Sequence, residues 1–270
     1  MPQPSFNAVV ASKTEIMPGL ALFRLRPEGW ELPLFRAGQY AMVGLPGSAP
    51  RHPAAEAEPE PPAADKWIKK AYSISSAATE HGEIELYVVM VPTGQLTPRL
   101  FALEAGDRLF LLPRFLGDFT LEAPDDARVV LIGTGTGLAP LVSMIRTHAH
   151  RHCARRYVLF HGVRTSAELG FREEMEALAA ERDDFAYVPC IDQPERDPEW
   201  SGLRGWVQDH WSSGGLDAAL GGPPSPADTH VFLCGNPRMI ETMKALLLET
   251  GYSLHSKKHP EGQVHVESFW

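Results

Sequence analysis

Val129-Val130-Leu131-Ile132 runs without a break into Gly133-Thr134-Gly135-Thr136-Gly137-Leu138-Ala139-Pro140, and this stretch decides the fold of the second half of the chain. Four consecutive apolar residues predict a buried strand, and the apolar spacing over 138–148 predicts a helix. Glycine has no Cβ to keep a phosphate from the backbone, and a helix N-terminus favours an anion. The stretch therefore predicts a dinucleotide-binding turn, although its G-x-G-x-G spacing also fits a purely structural turn.

The residues on either side of this stretch follow two different rhythms. Up to about residue 122, short apolar-alternating segments separated by Gly, Pro and Asp predict an antiparallel barrel. Those segments are Phe6–Val10, Leu20–Leu25, Ala41–Leu45, Lys70–Ile74, Ile84–Val91 and Asp107–Leu112. From about Ala127 strands and helices alternate, which predicts a doubly wound parallel sheet. We expect a barrel domain over residues 1–124 and an α/β domain over 125–270.

Residues 47–65 interrupt the barrel pattern with a segment rich in Pro, Ala and acidic residues. The segment has no apolar period, so it buries too little surface to offset the entropy of ordering. We expect a mobile loop there.

Composition limits the partners of the chain. Its 270 residues carry 25 Lys and Arg against 34 Asp and Glu, a formal net charge of −9. This balance argues against binding nucleic acid or an anionic membrane non-specifically. The N-terminus has no secretory pattern and no apolar run approaches about 18 residues, so we expect a cytoplasmic protein.

The cysteines and histidines predict no metal centre. Cys153, Cys190 and Cys234 lie far apart, and an iron–sulfur cluster usually needs four thiolates. The row of His148, His150 and His152 is more typical of a solvated helix face than of a metal site.

Lys70-Ala71-Tyr72-Ser73 places a cation, an aromatic ring and a hydroxyl on one short strand. The period of two sends Lys70 and Tyr72 to the same face. Such a face can stack on a planar ring and offset a phosphate charge, although a plain edge strand with polar decoration fits the composition as well.

Six motifs in order carry a family resemblance. They are Lys70-Ala71-Tyr72-Ser73, Leu86-Tyr87-Val88-Val89 with 94–100, the run Gly133–Pro140, His161-Gly162-Val163-Arg164, Cys234-Gly235-Asn236-Pro237 and Glu267-Ser268-Phe269-Trp270. Together they resemble the bacterial ferredoxin–NADP reductases whose chains end in two aromatic residues. The resemblance implies a six-stranded Greek-key barrel that holds FAD, followed by the NADP-binding domain.

On the barrel, the resemblance implies that Tyr72 stacks on the isoalloxazine, that Ser73 reaches its N5 edge and that Lys70 faces the pyrophosphate. The other implied FAD contacts are Ala71, Leu86, Tyr87, Val88, Gly94, Gln95, Leu96, Thr97, Thr136, Phe269 and Trp270. Trp270 would cover the flavin face opposite Tyr72. The family usually has arginine in place of Lys70, so this chain loses a bidentate contact, which Arg99 is a candidate to replace.

On the nucleotide domain, the resemblance implies that Cys234 approaches the nicotinamide and that Glu267 bonds near the reacting rings. A buried cysteine without a chemical role is the alternative for Cys234. The other implied NADP contacts are Gly133, Gly135, Thr136, Gly137, Val163, Arg164, Asp192, Gln193, Gly235, Asn236 and Pro237. Ser73, Cys234, Glu267 and Trp270 are thus the candidate catalytic residues.

One departure concerns the choice of nicotinamide. Where relatives commonly show Ser-Arg, this chain has Asp192-Gln193, and an aspartate repels a 2′-phosphate. Arg164 still matches a position that contacts that phosphate, so NADPH is the expected donor.

The leading hypothesis is a monomeric flavoenzyme that exchanges hydride with NADPH and single electrons with a separate ferredoxin or flavodoxin. Lys66, Lys69, Arg114, Lys257 and Lys258 are candidates for a basic docking rim. The alternatives are an NADH-dependent reductase component of an oxygenase, a flavin reductase, and a regulatory protein that binds flavin or nucleotide without turnover.

Overall fold

The computed structural model describes residues 4–149 and 154–268 and divides the chain into two compact units, residues 1–120 and 121–270. No helix in the described part is long and apolar enough to cross a membrane.

The first unit is an antiparallel barrel with one short helix, α1, at Thr97–Phe101. Its sheet runs in the order β4-β3-β6-β1-β2-β5. The strands are β1 (Ala8–Met17), β2 (Leu20–Pro27), β3 (Tyr40–Pro46), β4 (Trp67–Ser73), β5 (Ile84–Val89) and β6 (Arg108–Leu111). An antiparallel bridge between Ile74 and Leu86 brings the β4 and β5 edges together and closes the sheet. The predicted Greek-key barrel is confirmed.

The core of this barrel is formed by the side chains that alternate strand positions direct inwards. In β3, Ala41, Val43 and Leu45 are buried, and the matching face of β5 buries Leu86 and Val88. Helix α1 adds Leu100 and Phe101 to the same core cluster. The sequence pattern did not reveal α1, because it has only five residues and one of them is Pro98.

The 47–65 segment connects β3 to β4. Its base is held by backbone bonds from Gly47 N–H to Lys66 O and from Ser48 N–H to Ala64 O, at 2.8 and 3.0 Å. In its middle, the Glu58 side chain is only 6% exposed because it pairs with Arg99 and Arg51. These contacts fix the middle of the loop to the barrel, and mobility of the remainder stays a prediction.

The second unit is a six-stranded parallel sheet with helices between its strands. The strands lie in the order β10-β9-β8-β7-β11-β12. The strands are β7 (Arg128–Thr134), β8 (Arg156–Val163), β9 (Phe185–Ile191), β10 (Leu203–Arg204), β11 (Thr229–Cys234) and β12 (Val264–Glu267). The helices are α2 (Leu138–His148), α3 (Arg172–Glu181), α4 (Val207–Ser212), α5 (Asp217–Leu220) and α6 (Pro237–Glu249). The predicted doubly wound sheet is confirmed, and β10, β12 and α5 are additions to it.

The central strands are apolar because helices cover both faces of the sheet. Val129 to Ile132 of β7 are all 0% exposed, as are Val158, Leu159 and Phe160 of β8. At its carboxyl end β7 turns straight into α2 through a short 3-10 turn at Gly135–Gly137. This is the strand-turn-helix unit that the opening stretch predicts.

Candidate active site

The strand order reverses beside β7, which has β8 on one side and β11 on the other. Open α/β sheets bind ligands outside the carboxyl ends of the strands at such a reversal. The two ends that meet there are the Thr134–Gly137 turn after β7 and the Cys234–Asn236 turn after β11. The candidate nucleotide site of this unit therefore lies at these two turns.

Two glycines let the turns approach each other. A Cβ on Gly137 would lie 2.5 Å from Gly235 Cα and 2.6 Å from the Cys234 carbonyl carbon. A Cβ on Gly235, whose φ is +134°, would lie 2.2 Å from Thr134 Oγ1. The Asn236 N–H donates to that same Thr134 hydroxyl oxygen at 2.8 Å. Glycine is required at both positions, because backbone and hydroxyl fill the space of any side chain.

Gly135 and Asn236 have different local roles. Gly135 has a left-handed φ of +55° and is exposed, and an added Cβ would meet no atom of the described residues within 4 Å. Its backbone is therefore open to a ligand. Asn236 caps α6, since its side-chain oxygen accepts from the Arg238 N–H at 2.9 Å while Pro237 begins the helix.

A thiol and a carboxyl lie side by side at the ends of β11 and β12. Cys234 is register partner of Glu267 in the parallel pair. Burial and the nearby Glu267 raise the pKa of the Cys234 thiol, so it is neutral. Burial raises the pKa of Glu267 to about 8, and its buried Oε2 has no hydrogen-bond partner among the described residues. Glu267 is thus a protonated carboxyl at neutral pH.

Arg164 at the end of β8 is paired with a carboxylate from its own loop. Its Nε lies 2.9 Å from Oε1 and 3.1 Å from Oε2 of Glu168, and the Arg164 side chain is 58% exposed. Asp192 follows β9, and burial and Glu168 raise its pKa although Arg164 opposes the shift. Gln193 accepts from Arg196 at 2.7 Å. Carboxylates therefore surround the cation predicted to bind a 2′-phosphate.

Sequence reasoning missed two residues here. Glu168 was visible as an i, i+4 partner of Arg164. Trp206, just after β10, is 58% exposed and hydrogen-bonds the Asp192 side chain. The pairing of β10 with β9 brings it there, and nothing in its sequence neighbourhood signals that pairing. Val163, in contrast, packs in a core cluster with Leu169, Ile191 and Trp200, so its side chain is not free to contact a ligand.

In the barrel unit, the β3–β4 register places Lys70 opposite Val43 and Tyr72 opposite Ala41, on one face as expected. Lys70 is exposed, and Tyr72 is half-buried with its ring against the barrel core. Burial raises the pKa of the Tyr72 phenol, which keeps it protonated. Ala71 and the buried Ser73 lie on the opposite face.

The other predicted flavin contacts divide by face. Leu86 and Val88 point into the barrel core, so Tyr87 is the side chain of the three on the outer face. Gly94 sits in a tight turn, where its added Cβ would lie 3.0 Å from Val91 O. Thr97 Oγ1 accepts from the Val91 N–H at 2.9 Å and so braces this turn. Gln95 is exposed, whereas Leu96 is buried in the core.

Arg99 does not replace the arginine that the family has at Lys70. It is 3% exposed and its guanidinium donates to Glu58 at 2.6 and 3.0 Å. This pairing engages the charge of Arg99 within the protein.

Phe269 and Trp270 lie outside the described residues, as do His150, His152 and Cys153. Among the residues that are described, no group of three or more His, Cys, Asp or Glu could hold a metal ion.

Comparisons with known proteins identify the family of the chain. The oxidoreductase NAD-binding domain family matches residues 131–245. A ferredoxin–NADP reductase B of Sorangium cellulosum is 33% identical over 237 residues, which cover 87% of this chain and 86% of that protein. The chain belongs to the ferredoxin–NADP reductase family. It is therefore an oxidoreductase of the FAD- and NAD(P)-dependent class, as the sequence motifs indicated.

Two further comparisons define the range of this family. A ferredoxin NADP+ reductase from Neisseria gonorrhoeae, solved with bound FAD and NADP, superposes with a TM-score of 0.81 at 25% identity over 99% of this chain and 100% of that one. The reductase subunit of an aromatic O-demethylase from Amycolatopsis is 37% identical over 213 residues. That match covers 76% of this chain and 58% of the subunit, so the chain spans less than two thirds of it. The family thus includes both carrier-linked and oxygenase-linked reductases.

Proposed function

We propose that this protein is an FAD-dependent reductase that exchanges hydride with NADP(H) and single electrons with a separate ferredoxin or flavodoxin. The observation that carries the proposal is the close contact of Gly137 with Gly235 at the strand reversal. Because both residues are glycines, the two turns present backbone, without side chains, where a dinucleotide would lie. The similarity to carrier-linked reductases over nearly the full length of both chains supports the choice of acceptor.

The barrel residues fit a flavin nucleotide. Lys70 is an exposed cation that makes no ion pair with any described residue, on the same face as the half-buried ring of Tyr72. A phenol ring beside a free cation suits a planar ring that carries a diphosphate. FAD, when bound, supplies the conversion between a hydride pair and single electrons.

The residues at the carboxyl edge of the parallel sheet fit the reacting end of a nicotinamide. The neutral Cys234 thiol adds no charge that would repel or trap an electron-rich ring. Glu267 holds a proton at neutral pH, and its buried Oε2 has no hydrogen-bond partner among the described residues, so it is a candidate to hold a proton beside the nicotinamide. We assign Cys234 to shaping the pocket and Glu267 to holding that proton, while Ser73 and Trp270 stay candidate catalytic residues.

A basic docking surface for an acidic carrier is part of the proposal. Lys66 and Lys69 are exposed on or beside β4 and have no ion-pair partner among the described residues. Such free cations attract an acidic protein at low salt. The expected carrier-reduction rate falls as ionic strength rises, and a rate independent of salt would remove this part of the proposal.

A second candidate is an NADH-dependent reductase that serves an oxygenase. It is favoured by Glu168 and Asp192, which place carboxylates around Arg164. A carboxylate accepts from a ribose 2′-OH and repels a 2′-phosphate.

The test is the absorption spectrum of the purified protein, followed by anaerobic titration with NADPH and with NADH and by reduction of ferredoxin, flavodoxin and free flavin. A yellow protein that NADPH bleaches and that reduces a carrier protein supports the main proposal. Bleaching by NADH with little response to NADPH selects the second candidate. A colourless protein that takes up no added FAD contradicts both.

A further inference from the structure

The 47–65 segment wraps around the turn at residues 91–97, which holds the implied FAD contacts Gly94, Gln95, Leu96 and Thr97. Glu56 N–H donates to Pro92 O of the turn at 3.1 Å, and His52 N–H donates to Pro98 O, just after the turn in α1, at 2.9 Å. The segment is thus held against the turn along its own backbone.

Two arginines fix the carbonyl groups of that turn. Arg51 donates to Gly94 O at 2.8 Å and to Pro92 O at 3.1 Å. Arg99 donates to Gln95 O at 2.7 Å and also to Gly47 O, at the base of the segment, at 2.8 Å. Carbonyl oxygens repel a phosphate, so a turn that binds one gains when cations hold its carbonyls in place.

Glu58 holds both arginines. Its Oε1 lies 2.6 Å from Arg99 Nη1 and 2.9 Å from Arg51 Nη1, and its Oε2 accepts from Arg99 Nη2 at 3.0 Å. The Arg99 hydrogen bond, with the charges of both arginines, lowers the pKa of Glu58 and keeps it ionised at neutral pH. The triad keeps one net positive charge beside the turn.

We propose that Glu58, with Arg51 and Arg99, positions the 91–97 turn for the FAD diphosphate, so that the 47–65 segment acts as a clamp that retains FAD. This inference rests on the proposed function. Glu58 is a positioning residue, because it acts through the two arginines. The clamp also offers a reason why this chain tolerates Lys70 where a bidentate arginine is usual.

The test compares Glu58→Gln with Glu56→Gln in the holoenzyme. Both variants remove one negative charge from the same segment, but the Glu56 side chain makes no ion pair with any described residue. The readout is the rate at which FAD fluorescence appears on dilution, at a temperature where circular dichroism shows both variants folded. We expect release about ten-fold faster in Glu58→Gln and within about two-fold of wild type in Glu56→Gln, ten-fold being about 1.4 kcal/mol.

A second readout separates positioning from general destabilisation. Added FAD should restore the dye-reductase activity of Glu58→Gln to that of Glu56→Gln, with an unchanged KM for the nicotinamide nucleotide. Equal release rates for the two variants would overturn the inference, even if Glu58→Gln melts at a lower temperature. Slower release in Glu58→Gln would overturn it as well, since that result means that net charge alone retains FAD.

If Glu58→Gln does not fold, Arg51→Gln serves instead, because Arg51 lies at the edge of the triad with 19% of its side chain exposed. It should release FAD faster than Glu56→Gln does, and equal rates would overturn the inference. A wild-type protein that binds no FAD would defeat the proposed function itself. A wild-type protein that holds FAD as Glu58→Gln does would defeat the clamp alone.

Discussion

Replacing Gly137 with alanine tests whether the close approach of the two turns makes the nucleotide site. The added Cβ would lie 2.5 Å from Gly235 Cα, whereas real Cβ atoms essentially never come closer than 3.0 Å. The turns must therefore separate by about 0.5 Å or more, which is the tolerance within which binding groups have to be held. Both contacts are backbone, so no flexible side chain can give way. Overpacking of this kind costs about 1–3 kcal/mol.

Gly251→Ala is the matched control. Gly251 has a φ of +90°, and the nearest atom to an added Cβ is Pro226 Cγ at 3.9 Å. Alanine there strains the backbone by about 1–2 kcal/mol without moving either turn. Urea unfolding and titration with reduced nicotinamide nucleotide should show that both variants lose stability, while Gly137→Ala also binds the nucleotide about ten-fold more weakly. If Gly137→Ala binds within two-fold of wild type, the contact is structural and the site lies elsewhere.

Three further substitutions test the electrostatics. Glu168→Gln should raise the kcat/KM ratio of NADPH to NADH by up to about five-fold, the equivalent of about 1 kcal/mol, because it frees Arg164. Glu173→Gln should leave the ratio unchanged, and equal ratios in the two variants would show that Glu168 does not select the nucleotide. Glu267 has a folded pKa raised to about 8, so wild-type activity should fall as pH rises through about 8, with a flat profile in Glu267→Gln. A fall of the same size in that variant would assign the titration to another group. Burial and the neighbouring histidines lower the pKa of His265 to about 3, so stability should decline as pH falls below about 6.5, by up to about 1.4 kcal/mol per unit. His265→Phe keeps the stacking on Phe232 and should reduce the decline in urea unfolding between pH 7 and 5 without removing it, because burial also lowers the pKa of His161 to about 3. An unchanged slope would contradict this.

The elements that carry nucleotide chemistry were predictable because their signals are local. Helix α2 has the bounds that the sequence predicts, since glycines precede its first turn and apolar spacing marks its length. Strand β12 was missed because it is a four-residue parallel strand with alternating polar residues. Only pairing with β11, which begins 35 residues earlier, makes it a strand. Cys234 and Glu267 were both candidates, but their position as register partners depends on that pairing.

Two ion pairs, Arg164–Glu168 and Arg99–Glu58, differ in how far the local sequence predicts them. Arg164 and Glu168 are four residues apart, so their pairing follows from spacing alone. Glu58 and Arg99 are 41 residues apart, and one lies in a segment without any apolar period. No local rule joins them, which is why the sequence left Arg99 as a candidate FAD contact and predicted a mobile segment.

Burial also decides whether the arginine of each ion pair can leave its carboxylate to bind a ligand. The Arg99–Glu58 pair is almost fully buried, so breaking it leaves an uncompensated charge in the interior, which costs about 3–5 kcal/mol. That arginine cannot turn to a ligand. The Arg164 side chain is 58% exposed, and pairs of this kind contribute about 0–1 kcal/mol. Under the proposed function, a 2′-phosphate, which carries more charge than one carboxylate, would displace Glu168 from Arg164 at that cost. We therefore expect the pair to lower the preference for NADPH without abolishing its binding.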